Sequence, residues 1–318
     1  MACAKSCRSF DAVEDAKVLE KAMKGLGTDE KAIIEVLTYR SAAQRREIEA
    51  AYKAQFGKDL KRELHSELSG NFRQAVLWSF GDRAHVNAQA LFKAIDRPGT
   101  DERMLVDVLC TATNEEIQEI KEAYQDVLIQ NKKNTSKRNL EEDVRSDTSG
   151  DFRKVLIALL QASREEGCDE AQAKEDCEAL YQGGEAKLGT DEETFTRIFC
   201  TRSWKQLRRI NELYIENYGH DLIKAISKET SGDYKMALTR IMETAHSVKK
   251  TVAEMLYKSM KGAGTNDDNL IRIILAYSEH NLARIREIFD ITYEKTLVKM
   301  IEGDTSGDYR RYLLAILG

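Results

Sequence analysis

Proline is nearly absent: Pro98 is the single one in 318 residues. Aromatic side chains make up only 7%, while charged residues reach 32%. Proline breaks helices and strands are rich in aromatics, so this balance favours an all-α, water-compatible chain. No run of 18 apolar residues occurs, and no membrane-spanning helix is expected. The six cysteines include no Cys-x-x-Cys pair and do not read as a zinc site. Cys110 and Cys200 each stand 11 residues beyond a glycine, Gly99 or Gly189, and read as small buried hydrophobes. A reducing, cytoplasmic setting is expected, with export without a signal peptide left open. Cys3 and Cys7 lie on a tail, residues 1–9, that has no apolar signal-peptide core; it reads as exposed, with free thiols, the alternative being oxidation or acylation there.

An excess of positive charge is also missing. The formal net charge is −5, which gives no general attraction to nucleic acid or to an anionic bilayer. Docking on acidic lipid would need a bridging cation. Enzyme signatures are missing as well. Gly25-Leu26-Gly27 follows a helical pattern rather than a strand, without a third glycine or a Gly-Lys-Ser/Thr. There is no His-Glu-x-x-His and no Gly-x-Ser-x-Gly, and His65, His85, His220, His246 and His280 are scattered. No catalytic residue is assigned, and the chain reads as a non-enzyme.

What is present is a repeat. Met23-Lys24-Gly25-Leu26-Gly27-Thr28-Asp29-Glu30 returns as Met260-Lys261-Gly262-Ala263-Gly264-Thr265, as Lys187-Leu188-Gly189-Thr190-Asp191-Glu192, and as Ile95-Asp96-Arg97-Pro98-Gly99-Thr100-Asp101-Glu102. A carboxylate before Ser-Gly or Thr-Ser-Gly follows each loop. Glu67, Glu229 and Asp304 each stand 40 residues beyond the last loop glycine, and Asp147 stands 48 beyond Gly99. A glycine loop coupled to one acidic residue at a fixed long distance implies four copies of one unit, each joining the pair at one site.

Apolar periodicity gives five helices in the first unit. Ser41, Thr113, Ser203 and Ser278 each lie 14 residues after the loop glycine and predict the start of the third helix. Gln44, Glu116 and Gln206 are spaced to complete capping boxes, and Asn281 does so poorly. The expected organisation is a tail over 1–9, repeats over 10–81 and 82–162, a linker with the third repeat over 163–245, and a fourth over 246–318. The longest link, about 161–172, reads as a divider between two pairs of repeats. The second repeat carries eight extra residues, 131–138, polar and basic, expected as an exposed loop. Since the fourth helix ends at Asp147, the insert is expected at the opposite end of the bundle.

The loop and the carboxylate suit calcium, which takes six to eight oxygen ligands. A glycine-rich turn exposes carbonyls that no helix ladder claims, and one carboxylate adds charge. The expected metal ligands are Met23, Gly25, Gly27 and Glu67; Met260, Gly262, Gly264 and Asp304; and Gly184, Lys187, Gly189 and Glu229. The third loop is one residue longer, with Gly184 in the place of Met23 and Met260. Ile95, Arg97, Gly99 and Asp147 form a weaker fourth set, because Arg97 replaces a glycine. Open coordination positions would accept a lipid phosphoryl oxygen, with Lys24 and Lys261 alongside. The alternative is a calcium-independent helical scaffold for protein partners.

These loops, with the acidic residue 40 positions on, resemble the annexin family over about 10–318. The resemblance implies four five-helix repeats in a curved disc, with calcium loops on a convex face that docks reversibly on acidic phospholipid. It implies a peripheral protein at the cytoplasmic face of membranes, monomeric in solution, with lateral assembly on the bilayer left open.

Overall fold

The structure, a computed structural model, describes residues 10–25 and 27–318, so Cys3, Cys7 and Leu26 lie outside it. Nineteen helices and no strand occur among the described residues. In the first repeat, Asp11 caps α1 (Ala12–Ala22) by accepting from the Val13 and Glu14 N–H groups. Asp29 caps α2 (Glu30–Thr38). Ser41 and Gln44 form a complete capping box on α3 (Ala42–Phe56), which Gly57 ends at φ 67°. Asp59 caps α4 (Leu60–Glu67), and α5 (Gly70–Trp78) follows.

The order then recurs. The second repeat has α6 (Arg83–Ile95), α7 (Glu102–Leu109), α8 (Asn114–Gln130), α9 (Leu140–Asp147) and α10 (Gly150–Leu160). The third has α11 (Glu170–Gly183), α12 (Glu192–Thr201), α13 (Trp204–Tyr218), α14 (Leu222–Glu229) and the first part of α15 (Gly232–Met260). Ser247 breaks α15 at φ −166°, ψ 104°, and the remainder opens the fourth repeat. That repeat continues through α16 (Asp267–Tyr277), α17 (Leu282–Thr292), α18 (Leu297–Asp304) and α19 (Gly307–Leu317). With the break counted, each repeat has five helices.

Two cap expectations need correction. Ser278 starts no helix: it keeps helical dihedrals at the end of α16, its hydroxyl donates back to Leu275 O at 2.8 Å, and α17 begins after Asn281. Helical dihedrals persist through Ser278, and its hydroxyl is spent on the helix that ends there, so it is not free to cap the next one. Ser203 does cap α13, but Gln206 bonds the Asp169 backbone instead of closing the box. Accordingly, Thr113→Ala, which opens the complete box on α8, should cost about 1 kcal/mol in urea unfolding. Ser278→Ala should stay within about 0.5 kcal/mol. Equal costs would mean that the two hydroxyls play the same part.

The helices gather into two compact units, one reaching to Asn87 together with Val252–Gly318, the other Ala88–Thr251. The long link therefore does not divide pairs of repeats; it lies inside the second unit. Side-chain complementarity outweighs chain adjacency here. In the first unit α19 packs on α2 and α5, and the Tyr312 hydroxyl donates to Ser79 Oγ at 2.7 Å. In the second, Arg164 of the link stacks 3.8 Å over Trp204 and donates to Arg202 O at 2.5 Å, while its own N–H reaches Asn114 Oδ1 at 3.1 Å. Burial pushes the Arg164 pKa down to about 10.

Trp78, Ile271, Ile273 and Ile274 are core residues, and so are Cys110 and Cys200. Burial pushes both thiols up, Cys200 to about 12, so they stay protonated and inert. Two matched ion pairs tie the first helix of a repeat to the end of its second: Asp15 with Arg40, and Asp176 with Arg202.

Candidate functional site

Every repeat leaves its first helix through a loop closed in the same way. The N–H of the residue after the loop threonine donates back to the end of that helix: Asp29 to Ala22 O at 2.8 Å, Asp101 to Ala94 O at 3.0 Å, Asp191 to Gly183 O at 2.7 Å, and Asn266 to Ser259 O at 2.7 Å. The third loop closes over one more residue than the others, which sets Gly184 opposite Met23 and Met260. The closing residue then caps the next helix with its own side chain.

The last loop glycine needs the left-handed side of φ: Gly27 91°, Gly99 75°, Gly189 84° and Gly264 91°. Gly25 and Gly262, at φ 110° and 113°, lie where a side chain is strained whatever space surrounds it. A second glycine set at φ 56–60°, Gly70, Gly150, Gly232 and Gly307, lets the fourth helix turn directly into the fifth. That turn holds each distant carboxylate at its loop.

The loop threonine joins the two parts. Thr28 Oγ1 donates to Glu67 Oε2 at 2.7 Å. Thr100 reaches Asp147 O at 3.2 Å and Oδ2 at 3.4 Å; Thr190 reaches Glu229 O at 2.8 Å and Oε2 at 3.4 Å; Thr265 reaches Asp304 O and Oδ2, both at 3.3 Å. Each sequence-predicted carboxylate therefore meets its own loop. The threonines went unassigned in the sequence, although each stands directly after the last glycine of its loop. Gly184 sits so close to its partner that a Cβ there would lie 3.1 Å from Glu229 Cγ.

The carbonyls differ among repeats. Those of Met23, Gly25, Gly27, Met260, Gly262 and Gly264 accept no backbone hydrogen bond from a described loop residue. In the third repeat the Gly184 carbonyl accepts from Lys187 N at 3.1 Å, and Lys187 O and Gly189 O accept none from a described residue. In the second, Ile95 O accepts from Arg97 N at 2.8 Å, with Gly99 exposed beyond them. No cluster of three or more His, Cys, Asp or Glu suited to a metal occurs among the described residues. A cation held at these loops would draw on carbonyl oxygen and one carboxylate, a donor set that fits calcium.

Two further features were not legible in the sequence. Glu185, in the third loop, gathers Lys228 Nζ at 2.6 Å, Tyr214 Oη at 2.8 Å and His220 Nε2 at 2.8 Å, which anchors that loop to α13 and α14. The insert also needs correction. It forms an exposed loop, but it does not lie at the far end of the bundle. Lys133 Nζ and Arg138 Nη1 reach Asp96, in the second glycine loop, at 2.9 and 3.2 Å. The eight-residue α9 is only about 12 Å long, so two long basic side chains near its start span much of its length.

The annexin family model matches residues 14–78, 86–159, 175–241 and 251–316. Human annexin A7 is 46% identical over 312 residues, covering 98% of this chain but 62% of its own length, so the chain spans less than two thirds of that relative. Human annexin A13 is 45% identical over 316 residues, covering 99% of this chain and 98% of that protein. Among solved structures, annexin III aligns with a TM-score of 0.93 at 37% identity, covering 100% of this chain and 97% of that one. Calcium-bound annexin (Sm)1 aligns with a TM-score of 0.84 at 33% identity, covering 100% and 93%. Repeat by repeat and over nearly its whole length, the chain belongs to the annexin family.

Proposed function

We propose that the protein binds acidic phospholipid membranes reversibly and in a calcium-dependent way, through the glycine loops of its first, third and fourth repeats. The observation that carries this reading is the threonine-held carboxylate beside loop carbonyls most of which accept no loop hydrogen bond. Calcium would be held by Met23, Gly25, Gly27 and Glu67; by Gly184, Lys187, Gly189 and Glu229; and by Met260, Gly262, Gly264 and Asp304. The ion supplies positive charge where an acidic protein meets an acidic surface. Family membership and the calcium-bound relative support the same reading.

The physics favours a coincidence detector. One carboxylate per site gives weak intrinsic affinity, on the order of 10⁻⁴ M or weaker. A lipid phosphate that shares the ion tightens it, because each ligand stabilises the other's bound state. Leu188, fully exposed on the third loop, adds an apolar contact at headgroup depth. Ile95, Arg97, Gly99 and Asp147 contribute least: Arg97 brings like charge, and Lys133 and Arg138 of the insert add more beside that loop. The direct test is co-sedimentation with phosphatidylserine vesicles at physiological salt. Binding with calcium and release with chelator support the reading; equal binding in both supports a calcium-independent scaffold instead.

Glycine geometry makes its own prediction. Gly262→Ala forces a side chain to φ 113°, which should cost about 1–3 kcal/mol locally. The half-maximal calcium for vesicle binding should rise several-fold, and stability in urea unfolding should fall by no more than that strain. An unchanged calcium requirement would remove the fourth loop from the site.

A further inference from the structure

The second repeat departs from the other three in a way that points to a separate contact. Its loop keeps the Thr100–Asp147 closure, so it keeps the same place in its repeat. Positive charge crowds it as no other loop is crowded, with Arg97 in place of a glycine and Lys133 and Arg138 held at Asp96. Beside it, the insert carries Lys132, Lys133, Lys137 and Arg138 and no carboxylate.

The insert is built, not merely appended. Lys133 N donates to Leu128 O at 2.9 Å and Lys132 N to Ile129 O at 3.0 Å, a Schellman closure that holds Lys132 at φ 55°. Ser136 N donates to Asn134 Oδ1 at 3.0 Å, and Arg138 N to Asn134 O at 3.1 Å. Lys133 and Arg138 clamp Asp96 and lie over the Phe92 ring at 5.7 and 6.0 Å, which ties the insert to the glycine loop. Asp96 is neutralised by that clamp. Lys132 and Lys137 remain exposed and form no ion pair among the described residues.

We infer that the insert is a calcium-independent anchor for an anionic bilayer, with fixed ammonium groups in place of the bridging ion at the second repeat. This rests on the reading that the glycine loops face a membrane, since the clamp places the insert beside one of them. Charge complementarity selects the occupant: flexible point charges at an exposed rim match a surface of many phosphates. The contact is electrostatic and acts within a Debye length, about 8 Å at physiological salt, so it works at first encounter and fades as salt rises. Lysines near an acidic leaflet contribute about 1 kcal/mol each, and two together about 30-fold in partition.

The test is co-sedimentation of the full chain with phosphatidylserine vesicles in low-salt buffer with chelator, beside pure phosphatidylcholine vesicles. The parent should partition onto the acidic vesicles only and release at high salt. Lys132→Gln with Lys137→Gln should weaken this about 30-fold. Lys132→Arg with Lys137→Arg should preserve it. Glu67→Gln, Glu229→Gln and Asp304→Asn together should not weaken it, because the anchor uses none of those carboxylates and their loss only lowers repulsion from the acidic surface. Equal partition of the parent and the glutamine variant, or no partition of the parent, overturns the anchor while leaving calcium-dependent docking intact. Failure of the parent to bind with calcium would instead strike the reading on which the anchor rests, and the anchor with it.

Discussion

A chain carrying Glu67→Gln, Glu229→Gln and Asp304→Asn together should lose calcium-dependent sedimentation with phosphatidylserine vesicles at physiological salt, its half-maximal calcium rising on the order of a hundredfold. Each substitution removes the one anionic ligand proposed at its site and leaves a carbonyl oxygen. Fold effects should be small. Glu67 and Asp304 are exposed, Glu229 is half-buried, and an amide oxygen can still accept the threonine hydroxyl. Unfolding in urea should therefore stay within about 0.5 kcal/mol of the parent. Adding Asp147→Asn should change little further, because Arg97, Lys133 and Arg138 already crowd positive charge at its loop. A triple variant that still binds at the parent's calcium level would place the ion elsewhere.

The largest stability effect should come from a residue that touches no ligand. Asp176→Ala removes the partner of Arg202, whose guanidinium bonds Asp176 at 2.6 and 3.1 Å. The aspartate side chain is 2% exposed and the arginine 12%, so the deletion strands a cation where water barely reaches. Glu165, at 2.7 Å, compensates only in part because it is half exposed. The expected loss is about 3 kcal/mol in urea unfolding. Replacing both members, Asp176→Leu with Arg202→Met, should cost less than the single change, since no charge is left buried. A single variant within 1 kcal/mol of the parent, roughly the value of an exposed pair, would show that water reaches the pair. The pair fastens α11 to the end of α12, and the third glycine loop runs between those helices. A weakened loop-three site is therefore the expected side effect.

The glycine loops and their carboxylates could be read in the sequence because the requirement is chemical and local. Only glycine accepts φ near 110°, and one acidic residue recurs at one spacing. Ser41 and Thr113 were legible as helix starts for the same reason, with the cap and its glutamine or glutamate both within one turn. Ser278 failed because α16 keeps it helical and takes its hydroxyl, and the chain turns into α17 only at Asn281. The insert failed for a different reason: its position depends on how far Lys133 and Arg138 reach across a short helix, which no spacing rule contains. Glu185 was invisible because Tyr214, His220 and Lys228 lie 29 to 43 residues away and only tertiary packing assembles them. The link at 161–172 misled because length was read as separation, whereas Arg164 fastens it down.

The discontinuity of the first unit has a consequence for how the chain is made. Ala88–Thr251 is one continuous stretch and can complete its contacts as soon as it leaves the ribosome. The first unit cannot: Ser79 waits for Tyr312, 233 residues later. Through most of synthesis, the apolar faces of α2 and α5 lack the helix that covers them. Closing so long a loop adds only slowly to the entropic cost, but the wait exposes surface on which chains misassociate. Repeats built on one plan thus differ in biosynthetic hazard: the first is made earliest and finished last.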